Sequence, residues 1–173
     1  LDHYRRVSTL GEREIRSMMA LLPDEEIPDY SPHVPPELAA KLADFVAPPG
    51  TYFDGFELHL VSNTSLETLS SLMPESAIDV RRFRPNIVID STRRDGYPEI
   101  DWVGRHLRIG SLVVQAVMPM VRCVMVTLPQ NDLPRDPKIM RTLVKEADMN
   151  MGIALSIVEP GHCEAGDAVV LVE

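Results

Sequence analysis

The 173-residue sequence predicts a mainly β fold: a partly closed β-barrel with a few short peripheral helices. Three observations carry this expectation. Past residue 50 the apolar residues fall mostly into short runs of β-branched and aromatic type, several of them strictly alternating with polar ones. Glycine, proline, asparagine and aspartate punctuate these runs closely enough to make tight turns. Only two later stretches keep helical spacing, so helices sit at the edge of the architecture.

The elements follow in chain order. The first fifty residues, 1–50, form an irregular and partly helical segment, and 51–173 form the barrel. Within the first segment, helical patterns cover Glu12 to Leu22 and Pro36 to Val46, separated by the proline-rich "PDEEIPDYSPHVPPE". "GFELHLVS" alternates Phe56, Leu58 and Leu60 against Glu57 and His59 and predicts a half-buried strand. A helix follows in "TSLETLSSLMP", with Thr64 and Glu67 at capping-box spacing and Pro74 as its stop. "RFRPNIVID" predicts a strand with Phe83, Ile87 and Ile89 on one face and Arg84, Asn86 and Asp90 on the other. In "RHLRIGSLVVQAVMP" the Gly110-Ser111 pair predicts a hairpin with a type II′ turn. "CVMVTL" predicts a further strand, and "DPKIMRTLVKEAD" a helix with Asp136 as its N-cap and Ile139, Leu143 and Ala147 on one side. "MGIALSIVEPG" and "GDAVVLVE" close the chain as two strands.

Composition narrows the function classes. A net charge of -9 argues against a nucleic-acid binder, because affinity for phosphate chains is built from accumulated Lys and Arg. The charge is uneven, with seven arginines against four acids between Arg81 and Arg108. A cationic patch on an acidic chain favours a small anionic ligand over a long polyanion. Arginines solvating strand edges would leave the same pattern. No apolar run reaches the roughly 18 residues that cross a bilayer, and the first residues lack the order of a signal peptide, which predicts a cytoplasmic protein without a membrane partner. Two cysteines exclude a disulfide-dense scaffold.

The five histidines show no HxH or HxxxH spacing, and no glycine-rich phosphate loop is present. Cys123 is the candidate reactive group, since the adjacent Arg122 favours its thiolate for nucleophilic attack or for ligating a soft metal. The alternative is a small buried hydrophobe among Met118, Met120, Val124 and Met125. Cys163, in "GHCEAGD", has acids and no cation beside it and is expected to be structural. A Cys–His hydrolase would need His59 or His106 brought to Cys123, and no local signature supports one.

The succession "FELHLVSNTSLETL", "RRFRPNIVID", "DWVGRHLRIGSLVVQAV", "RCVMVT" and "GIALSIVEPG…AGDAVVL" resembles the MOSC domain, the carboxy-terminal domain of molybdenum cofactor sulfurases, from about Phe56 onward. It is similar above all to the branch of the mitochondrial amidoxime reducing component and its bacterial relatives. The resemblance implies a molybdenum cofactor (molybdopterin), with Cys123 as thiolate ligand to molybdenum and catalytic residue, and Arg84, Asn86 and Arg122 as cofactor contacts. It implies an oxidoreductase that reduces small N-hydroxylated substrates with electrons from a heme or flavin partner. It also implies that 1–50 hold part of an amino-terminal MOSC subdomain. A sulfur or cofactor carrier, with a persulfide on Cys123, is the alternative, and a barrel that has lost its cofactor is a third. The chain differs from the family in three places. No "YPVKS"-like stretch precedes Pro36, "VTLPQNDLPRDP" stands where threonine pairs and Asp-Pro are usual, and Ala154 matches a tyrosine of the reductase branch.

Overall fold

The computed structural model describes residues 11–27, 29, 34, 36–37, 39–40 and 55–172. The chain divides into two compact units, Leu1–Glu57 and Leu58–Glu173. In the first, helix α1 runs over Glu12–Met18, shorter than the expected helix to Leu22. It stops because Ala20 takes a left-handed φ of 55° and the Arg16 guanidinium caps the carbonyls of Leu22 and Glu25 at 3.1 and 2.6 Å. Of the second expected helix, over 36–46, residues 36, 37, 39 and 40 are helical, and the remainder lies outside the described residues.

The second unit is mainly β. Six strands, β1 Leu58–Ser62, β2 Ile87–Ile89, β3 His106–Ile109, β4 Leu112–Val121, β5 Asn150–Glu159 and β6 Val169–Val172, form one sheet in the order β2-β1-β5-β4-β3-β6. Only β1 and β2 pair in parallel. The ladder between β4 and β5 shifts register three times, once beside Pro119, and such bulges bend strands and curl a sheet into a half-barrel. Proline is tolerated there because the ladder is already interrupted. The β3–β4 hairpin forms as expected, with Gly110 at φ 58° and Ile109 in register with Leu112.

Leu60, Ile89, Leu107, Ile109, Leu112, Val114, Ala116, Ile153 and Leu155 form one buried cluster, and Cys163 packs against it. Helix α2 covers Asn63–Leu72 and α3 covers Lys138–Glu146, the latter burying Ile139, Met140 and Leu143. The N-cap of α3 is Pro137 rather than the expected Asp136, whose Oδ1 accepts the Lys138 N–H at 3.0 Å from one residue further out.

Three further local expectations are corrected. The N-cap of α2 is Ser62, not Thr64, and its hydroxyl accepts the Ser65 N–H at 3.0 Å. Behind it lies fully buried Glu99, which accepts the Ser62 hydroxyl at 2.6 Å and the Ser65 hydroxyl at 2.7 and 2.8 Å. A carboxylate from outside the helix therefore faces its positive end, which outweighs the Thr64/Glu67 spacing. "CVMVTL" is a 3-10 turn over Val124–Thr127 rather than a strand. Pairing of β4 ends where Val121 meets Asn150, and beyond it the Thr127 hydroxyl closes a turn on the Val124 carbonyl at 2.7 Å. "RFRPNIVID" is a strand only over Ile87–Ile89, and Val80–Arg82 ahead of it is another 3-10 turn, capped by Asp79.

Candidate functional site

The site is built where that second turn meets the end of β4. Asp79 accepts the Arg81 N–H at 2.9 Å and starts the turn. Its exit is Arg84, whose left-handed φ of 52° is uncommon for a residue with a Cβ and stores strain. Arg84 and Asn86 therefore do not share the face of a strand, contrary to the alternation argument. Pro85 cannot donate to a ladder, and Asn86 restores the pairing that is lost. Its N–H donates to the His59 carbonyl at 2.9 Å, and its side-chain oxygen accepts the His59 N–H at 2.8 Å.

The three arginines of "RRFR" divide sharply by role. Arg81 lies on the surface between Asp79 and Asp132, each at 2.8 Å. Arg82 is 1% exposed and donates to four carbonyls, those of Ala77, Val126, Leu128 and Pro134, at 2.8–3.3 Å. Arg84 is exposed; its backbone N–H donates to the Val80 carbonyl at 3.2 Å, and its guanidinium has no hydrogen bond or ion pair among the described residues. The cationic patch of the sequence thus contracts to one open guanidinium in this motif.

Arg122 stands close enough to Arg84 that their charges repel. Its Nη2 donates to the Phe83 carbonyl at 2.9 Å, its guanidinium carbon lies 5.9 Å from the Phe83 ring centre, and its backbone N–H donates to Met149 at 2.8 Å. Burial first, and Arg84 after it, pull the Arg122 pKa below the usual guanidinium range, while Cys123 pulls it up. The Nε of Arg122 is buried without a partner. Two guanidinia without a carboxylate between them, one holding an orphaned donor, match an anionic ligand. Cys123 follows in extended conformation, half-buried, its sulfur without a hydrogen-bond partner among the described residues.

His59 completes the cluster, and the sequence pattern placed it on the wet face of β1. Both faces of β1 are covered instead, and His59 is 6% exposed. Its Nε2 lies 3.0 Å from the Met151 carbonyl, so Nε2 carries the proton. Burial above all, and then the charge of Arg122, push its pKa down to about 4, against the carbonyls of Met151, Phe83 and Arg84. That bond commits Nε2 as a donor and leaves the ring's lone pair on Nδ1, and His106 lies on β3 in register with Gln115. The one signal in the sequence was a lone polar residue inside the apolar run "LHLVS".

The depressed pKa has a measurable consequence. The unfolded chain takes up the His59 proton near pH 6.5 and the folded chain only near 4, so stability present above 6.5 is lost as pH falls to 4. About 3 kcal/mol is expected to disappear across that window. Urea unfolding of the wild type and His59→Gln at successive pH values checks it, since the variant lacks this part of the slope.

Comparison with known proteins follows the geometry. A model of the MOSC domain matches residues 49–170. A search of curated proteins finds no significant match. Among solved structures, one of a hypothetical protein is 16% identical with a TM-score of 0.51, covering 72% of this chain and 57% of its own. YiiM from Geobacillus stearothermophilus is 17% identical with a TM-score of 0.51, covering 68% and 55%. YiiM from Escherichia coli is 16% identical with a TM-score of 0.50, covering 68% and 55%. At these identities the likeness is one of fold, and the chain spans a little over half the length of these structures. No helix among the described residues is long and apolar enough to cross a membrane.

Proposed function

The chain belongs to the MOSC domain family, and from that premise we propose that it binds the molybdenum cofactor and acts as an oxidoreductase on small N-hydroxylated molecules. The observation that carries this reading is the unneutralised pair Arg84 and Arg122 beside the unpartnered thiol of Cys123. These residues fit the group. The orphaned Nε of Arg122 offers a donor to an anionic oxygen, and the thiolate of Cys123 is a soft ligand suited to molybdenum. Among the described residues no set of three His, Cys, Asp or Glu side chains can hold a bare ion, which is consistent with a metal that arrives with ligands of its own.

When bound, the cofactor supplies oxygen-atom and electron transfer at the metal, with electrons from a heme or flavin partner. The chain's own residues hold and orient it. Arg84, whose guanidinium is exposed and unpaired, would hold the phosphate, and Arg122, tied to the Phe83 carbonyl, would keep positive charge next to Cys123. Asn86 acts from behind, because its side-chain oxygen is committed to His59 and only its amide N–H groups remain to face the cofactor.

Molybdenum analysis of protein made in a host that synthesises the cofactor tests the proposal. Cys123→Ala is expected to lose about tenfold or more of the bound metal while keeping its fold. Molybdenum absent from the wild type sinks the proposal, and equal molybdenum in both removes Cys123 from its role. Cyanide-labile sulfur on Cys123 without molybdenum replaces it with a sulfur carrier.

A further inference from the structure

We propose that His59 is the positioning residue of the two-arginine face, holding the Phe83–Arg84 turn and Arg122 in the arrangement that receives one phosphate. The inference rests on the cofactor reading above and deepens it. Three independent features fix the ring. Its backbone is clamped on one side by both groups of Asn86 and is in register with Ala154 on the other. Its Nε2 donates to Met151 at the head of β5. Finally, the ring occupies a slot that only a glycine leaves open, because a Cβ at Gly152 would stand 2.5 Å from Nε2. A histidine retained in such a slot between β2 and β5 ties two stretches that are remote in sequence, the turn bearing Arg84 and the strand start whose Met149 carbonyl holds the Arg122 N–H.

The charges facing the ring come from every neighbouring stretch: Arg122 at the end of β4, and the carbonyl dipoles of Phe83, Arg84 and Met151. Neutral imidazole supports the arginines without adding a third cation, and its Nε2 donates to the buried Met151 carbonyl. An apolar side chain of similar size fills the slot but releases that carbonyl and the turn.

The test is phosphate binding by the full chain prepared without cofactor, titrated by phosphorus NMR with inorganic phosphate. Glutamine keeps an N–H near the place of Nε2, so His59→Gln is expected to bind within about twofold of the wild type. His59→Leu is expected to bind about tenfold more weakly, the cost of losing one oriented charge-assisted contact. A folded His59→Leu that binds phosphate as tightly as the wild type overturns the inference. Should His59→Leu not fold, His59→Gln decides alone, and tenfold weaker binding in a natively folded His59→Gln overturns it. Arg84→Gln separates the two levels of the argument. Binding that is lost in Arg84→Gln but kept in His59→Leu overturns only the role of His59. No phosphate binding by the wild type overturns the cofactor reading and this inference together.

Discussion

Arg82→Met is expected to destabilise the barrel unit by about 3–5 kcal/mol, the cost of removing a buried guanidinium and leaving its four carbonyl acceptors without their donor. The side chain is 1% exposed, and its guanidinium satisfies carbonyls from three separate stretches, at Ala77, at Val126 and Leu128, and at Pro134. Methionine matches the stem but withdraws the donor from all four acceptors, of which the Val126 carbonyl is buried. Burial of the charge has its own desolvation penalty, so part of the loss is recovered, which is why the figure is not larger. Lysine is no remedy: a compact ammonium cannot span acceptors that a planar five-donor fork reaches in several directions. Equilibrium unfolding in urea measures the effect, with Arg82→Lys as the second arm. A loss below about 1 kcal/mol for Arg82→Met would mean that the acceptors find other donors. Domains are stable by about 5–15 kcal/mol in total, so the variant is also expected to accumulate poorly.

Gly152→Ala carries the second large effect, about 2–4 kcal/mol, from two causes that add. The residue sits at φ 79°, where a Cβ is strained, and that Cβ would meet the Leu60 carbonyl as well as His59 Nε2 at 2.5 Å and Val61 Cγ2 at 2.6 Å. Of these the Leu60 carbonyl is backbone and cannot rotate away. Relief requires β1 and β5 to part or the His59 ring to leave, and either displaces the Met151 contact. Thermal unfolding reports the stability, and phosphate titration of the folded fraction reports the displaced ring. A variant as stable as the wild type would show that the β1–β5 contact is looser than its geometry.

What the sequence revealed and concealed divides along physical lines. Strand β1, helix α3 and the Gly110 hairpin were legible because each is specified by neighbours within a few residues. The "RFRPN" segment was not, since its alternation of Phe83, Ile87 and Ile89 imitates a strand although Asp79 and a left-handed Arg84 make it a turn. β-branched residues in "CVMVTL" likewise obey the end of the β4 ladder rather than their own propensity. At the candidate site, the prominence of Cys123, Arg122 and Arg84 was legible from the motifs. His59 and Glu99 were concealed, because burial of a polar side chain depends on partners such as Met151 and Ser62 that lie 92 and 37 residues away.

The order of strands also sets a timetable. In a chain synthesised from its amino end, β1 acquires β2 early but waits for β5, since Leu58 pairs with Leu155. At about 5–20 residues per second the ribosome needs roughly 5–20 s to deliver it. Until then one side of "LHLVS" is an open, uncharged edge inviting a neighbour from another nascent chain. The same delivery brings Met151 to His59 and Met149 to Arg122, so the contacts that hold the Arg122 side of the site form only when that edge is sealed.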